Sequence, residues 1–184
     1  TGDPPIYTNS NSPVVDAFSD SQSAQSTASY DYLQTSPYNS IYWKTTSLPT
    51  LPNDAYVFDA QFSLVTKEVD LPSGVNSRPV GVYELFEDWT PSALSEAFGS
   101  TNYTDCVLVD ASVEVAYTWN VTPLVKKWYE GFNYGLRVAI EGTTANTYIQ
   151  FHSNESIYSS FSLTIIICSL YVEKSIRLYV WKVL

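Results

Sequence analysis

Along much of the chain, apolar and polar residues alternate in short runs separated by turn signals. In AYVFDAQFSLV, Tyr56, Phe58, Ala60, Phe62 and Leu64 fall at every second position, the period of a strand packed on one face. SIYWKTT precedes this run across LPTLPND, and LPSGVNSRP separates it from VGVYELFEDW. Further on come CVLVDASVEVAY, YGLRVAIEG, TYIQFHS and SFSLTIIICSLYVE. Eight or more short strands with turns between them predict an all-β fold, a two-sheet β-sandwich.

One stretch breaks the pattern. In TWNVTPLVKKWYEGFNYGL, Thr122 suits a helix N-cap and Pro123 the first helical position. Leu124, Val125 and Trp128 then share a face, Lys126 and Lys127 point away from it, and Gly131 ends the run. The spacing predicts a short helix over about 122–130 that caps one open end of the sandwich, with Trp128 between the sheets.

The two ends of the chain differ from its middle. Residues 1–12 form a Ser/Asn/Pro-rich arm, 13–173 the sandwich and 174–184 an additional C-terminal strand. In that tail Ile176, Leu178 and Val180 alternate with Arg177, Tyr179 and Trp181. An unpaired apolar strand is a liability in solution and needs a partner. The edge of its own sheet and, by strand addition, the sheet of a second copy are the two candidates.

Charge sharpens this contrast. Nine Lys and Arg stand against 19 Asp and Glu, a net charge of -10, which repels nucleic acid and anionic lipid. Residues 1–60 hold six aspartates against Lys44 alone, whereas 174–184 hold Lys174, Arg177 and Lys182 and no acid. The most apolar run, Leu163 to Val172, is far short of the roughly 20 residues a membrane-spanning helix needs, so membrane insertion is not expected. The chain contains no Met and starts TGDPPIY. A processed chain, extracellular or at the cell surface after removal of a signal peptide, is the expectation.

The segments VTPLVKKWYEGFNYGLRV, YIQFHSNES and SLTIIICSLYVE resemble the C-terminal half of the extracellular modules called DNRLRE domains. YWKTTSLPTLPNDAYVFDAQFSL and VYELFEDWT resemble their earlier strands, so the resemblance covers roughly 13–173. The name-giving hexapeptide is absent, and Asn120 stands where an Asp usually precedes the Thr. The resemblance implies a jelly-roll-like β-sandwich of surface and secreted proteins, without assigned catalytic residues and similar to one group of carbohydrate-binding modules.

Candidate chemistry is sparse. Cys106 and Cys168, 62 positions apart, do not have metal or redox spacing, which leaves a disulfide or two buried thiols. Asn102, Asn120 and Asn154 begin glycosylation sequons. Glu84, Glu87 and Asp88 offer oxygens for Ca²⁺, although they lack the regular spacing of a calcium loop; no other cofactor is expected. His152, the single histidine, has no GxSxG-like context and is expected to be a surface or turn residue, so the chain is not expected to be an enzyme. Among the tryptophans, Trp128 and Trp89 belong to packing, while Trp43 and Trp181, with Tyr179, are the candidates for sugar or partner contact. These features point to a structural surface or filament subunit that self-associates through terminal strands. The alternative is a carbohydrate-binding or adhesion module taking a polysaccharide.

Overall fold

The computed structural model describes residues 6–8, 14–19, 30–142, 147–153, 156, 161–171 and 175–183. In chain order the described strands begin with β1 (Ile6–Thr8), β2 (Val14–Phe18), β3 (Tyr32–Thr35), β4 (Ile41–Thr45), β5 (Ala55–Asp70) and β6 (Ser77–Leu85). They continue with β7 (Gly99–Asp110), β8 (Ala116–Asn120), β9 (Leu136–Ile140), β10 (Tyr148–His152), β11 (Phe161–Tyr171) and β12 (Ser175–Val183). The helix α1 (Thr122–Tyr129) lies between β8 and β9.

Two sheets face each other. One has the order β1-β12-β11-β5-β10-β3, with β8 also on β5, and the other the order β2-β4-β9-β6-β7. Every pairing is antiparallel except that of β1 with β12. The expected two-sheet β-sandwich with one short helix is therefore the observed architecture. Strand β5 is its spine: it pairs with β11 over Ala55–Leu64, with β8 over Gln61–Val65 and with β10 from Thr66 to Asp70.

Aromatic rings fill the space between the sheets. Trp43 lies 5.0 Å from Phe62 and 6.4 Å from Trp128 between ring centroids, and Trp119 lies 6.4 Å from Phe62 and 6.3 Å from Phe151. Tilted and edge-on contacts of this kind add to the burial of large apolar surfaces. The Trp119 indole N–H donates to the Val80 carbonyl at 2.8 Å, so the polar handle of this buried ring is satisfied without water.

The alternation read in β5 breaks partway along the strand. Ala60, Phe62 and Leu64 are buried as expected, but Tyr56 and Phe58 are 45% and 58% exposed, and Val57 takes the inward place. The reason is a bulge: Ile166 stands opposite Asp59 and Ile167 opposite Val57, which leaves Phe58 without a counterpart. One extra residue inverts the side-chain parity of everything before it.

Helix α1 buries Leu124, Val125 and Trp128, and Trp128 joins the core between the sheets as predicted. Its C-terminus closes with the Gly131 N–H on the Trp128 carbonyl and the Phe132 N–H on the Lys127 carbonyl, with Gly131 at φ 102°, the double bond of a left-handed cap. The N-terminus differs from the expectation. Val121 is the N-cap and no side chain caps it. The Thr122 hydroxyl instead accepts the Ala60 N–H at 2.8 Å and lies 3.3 Å from Asp59 Oδ1, which pins the helix to β5.

The segment after β6 covers the outer face of the five-stranded sheet. Trp89, 2% exposed, packs there with Ala17, Tyr42 and Leu85. Its indole N–H donates to the Tyr134 carbonyl at 2.8 Å, and Lys44 Nζ lies 4.8 Å from its ring centroid. Among the described residues no helix is long and apolar enough to cross a membrane.

Candidate functional site

The sandwich has two long edges of unequal character. On one side β7 pairs with β6. Three of its backbone N–H groups are taken by side chains: Asn102 N–H by Ser100 Oγ (3.0 Å), Cys106 N–H by Asp105 Oδ1 (2.8 Å) and Asp110 N–H by the Tyr117 hydroxyl (3.3 Å). The Tyr117 hydroxyl donates to Asp110 Oδ1 at 2.8 Å, and Asp105 Oδ2 accepts the Asn120 N–H at 2.7 Å, so β8 of the opposite sheet is tied alongside. Donors consumed in this way are not available to an incoming strand.

The other long edge is built from the chain ends. All nine residues of β12, Ser175–Val183, pair with β11 in a hairpin register. Of the two partners expected for the tail, its own sheet is the one seen. On the far side of β12 stands β1, in parallel, over the three pairs Ile6–Val180, Tyr7–Trp181 and Thr8–Lys182. The segment read as an N-terminal arm thus contributes a strand. Ile176 and Leu178, with Tyr179, pair with β11 but have no partner on this outer side among the described residues, whereas Val180 has β1.

A third feature lies beside α1. An open groove of about 310 Å³ is lined by Glu84, Leu85, Phe86, Lys127, Glu130, Phe132 and Tyr134. Phe86 and Phe132 are 55% and 57% exposed, and Lys127 Nζ lies 2.6 Å from both Glu84 oxygens. The groove therefore combines apolar ring surface with paired donors and acceptors. Sequence reasoning missed both phenylalanines; the available signal was that each stands outside a strand repeat beside a turn.

No protein-family model matches the chain, and no curated protein does.

The predicted site residues fall out as follows. Trp43 is fully buried, because it faces the core between the sheets, where Phe62 and Trp128 pack on it, so it is no contact residue. The backbones of Tyr179 and Trp181 sit in β12, and their side chains lie outside the described residues, as does Asn154. Glu84, Glu87 and Asp88 do not converge. Glu84 is held by Lys127, and Asp88 takes Lys44 Nζ at 2.7 Å; that hydrogen bond is the main reason its carboxyl sits below the usual range. Among the described residues no three acids, histidines or cysteines gather as metal ligands.

The cysteines are unbonded; of the two alternatives, a disulfide and two thiols, the structure has the thiols. Cys106 has the parity of Leu108, 65% exposed, and not that of Val107 and Val109, which pack in the core. Cys168 likewise alternates with Ile165 and Ile167, which face inward. The two thiols lie on opposite sheets, on strands that do not pair with each other, with Cys168 buried and Cys106 half-buried. Burial, and then the Asp105 carboxylate, push the Cys106 thiol up.

His152 is also corrected: it is 2% exposed rather than a surface residue. Nδ1 is 3.0 Å from Ser156 Oγ and Nε2 3.0 Å from Glu114 Oε1. A carboxylate, an imidazole and a hydroxyl in sequence are the parts of an activated nucleophile. However, the Ser156 N–H is spent on the Ser153 carbonyl at 3.1 Å, so it offers nothing to an oxyanion. What the arrangement does is fasten the 111–115 turn, where Glu114 has φ 59°, to the end of β10. Glu114 is 38 positions from His152, a pairing that no local motif announces.

Proposed function

We propose that the chain is a non-catalytic extracellular structural protein, a surface or filament subunit that associates through its terminal strands. The observation that carries this reading is the contrast between the edges: β12 offers a nine-residue strand with three residues covered among the described residues, whereas three N–H groups of β7 are capped by side chains. Strand addition supplies main-chain hydrogen bonds in bulk, and its specificity comes from side-chain pattern and charge. Arg177 and Lys182 give β12 a positive character in a chain of net charge -10, so at close approach this edge attracts acidic surface of a second copy, and that local attraction weakens with salt.

Sedimentation over a concentration series at low and high salt tests this. Mass is expected to rise with concentration and to fall with added salt. A chain that stays monomeric at the highest concentrations under both conditions overturns the reading.

The carbohydrate-binding alternative is favoured by one observation, the groove with Phe86 and Phe132 exposed above the Glu84 and Lys127 pair. Ring faces stack on the apolar faces of sugars, and the ion pair serves hydroxyl groups. Phe132→Ala is expected to lower retention on a polysaccharide matrix at least several-fold. Unchanged retention removes the groove from consideration.

A further inference from the structure

We infer that Asn102 and Asn120 are sites of N-linked glycosylation whose glycans shield the β7–β8 side of the sandwich and direct association to the opposite edge. The inference rests on the extracellular, self-associating reading above. Both asparagines are exposed. They belong to strands of different sheets, yet they lie on one side of the molecule: Asp105, three positions after Asn102 on β7, holds the Asn120 N–H at 2.7 Å.

The local geometry suits the modification. Asn120 Oδ1 accepts the Thr122 N–H at 3.0 Å, a turn that leaves the amide nitrogen unspent among the described residues. Asp would make the same turn through the same oxygen; only Asn adds a nitrogen that can carry a sugar. In the transfer, that nitrogen bonds to the anomeric carbon of a lipid-pyrophosphate-linked oligosaccharide. The pyrophosphate carrier leaves with the electron pair, and the nitrogen gives up one proton.

The surface gives the modification a use. Tyr103 and Leu108 of β7 are 53% and 65% exposed, and Val113 and Val115, just beyond it, are 52% and 39% exposed. Apolar side chains along a sheet edge invite lateral sticking, which bulky polar cover prevents. Capping of three β7 donors by side chains blocks strand addition, and glycans would block side-chain contact on the same flank.

The full chain, secreted from a host with N-glycosylation machinery, is compared with an N102Q/N120D double variant. The substitution at position 120 keeps the oxygen that holds the turn. Glycopeptide masses are expected at both positions, with the double variant gaining lateral aggregates. If either asparagine is unmodified while a control sequon in the same cells is occupied, the assignment fails. If both are occupied and the variant assembles as the glycosylated chain does, the shielding role fails. If neither form associates at all, the association reading and the shielding role built on it both fall, and occupancy alone decides the modification.

Discussion

A Cβ added at Gly135 would lie 2.1 Å from the Trp43 carbonyl oxygen and 2.5 Å from Lys44 Cβ, at φ +79°. Gly131, at φ +102°, has open space around it. The two substitutions therefore separate backbone strain from collision. Gly131→Ala is expected to cost about 1 kcal/mol, the left-handed penalty alone, whereas Gly135→Ala adds an overpacked contact and should cost roughly 3 kcal/mol or more. Urea midpoints at a constant m-value read the difference. Equal costs would show that the Gly135 backbone moves aside. At this scale the sequence was a poor guide to roles. Trp43 sits in a run that alternates properly, and nothing nearby reveals that Phe62 and Trp128, far along the chain, pack on its ring. His152 carries no local sign of Glu114.

Among the elements, α1 was the most legible. Its proline, its spaced apolar residues and its terminal glycine are local signals, and local signals suffice for a helix end. Its N-cap was not legible, because the Thr122 hydroxyl is claimed by β5, 62 residues away. The β5 bulge was missed for a related reason: period two is a property of one strand, whereas a bulge belongs to a pair. Tyr129 shows how the helix is anchored. Its hydroxyl donates to the Pro49 carbonyl at 2.8 Å, and burial pushes its pKa far up. A folded-state pKa raised above the unfolded value contributes stability that is complete below about pH 10 and is lost as pH rises toward the folded value. Unfolding free energy should therefore fall above about pH 10. Tyr148, pushed up to about 12 chiefly by its hydrogen bond to Glu68, acts with the same sign. Tyr129→Phe is expected to cost about 1 kcal/mol at neutral pH and to flatten the alkaline slope, leaving the part due to Tyr148, Tyr117 and Cys106, which are also raised. An unchanged slope would mean that Tyr129 does not titrate with folding.

For the whole molecule, the sandwich followed from strand count and turn spacing, and the surplus terminal strand was visible as alternation of apolar and polar residues over 176–181. The order of strands was not readable. Neither the addition of β1 to β12 across the length of the chain nor the side-chain capping of β7 follows from periodicity, since both depend on which edges meet. That inequality of edges is the centre of the functional reading, and hydrogen exchange on the unmodified chain at low and high concentration addresses it most directly. The prediction is that amides of Ser175–Val183 gain protection as mass rises, while those of Gly99–Asp110 do not. Concentration-independent exchange in β12, or new protection confined to β7, would contradict it.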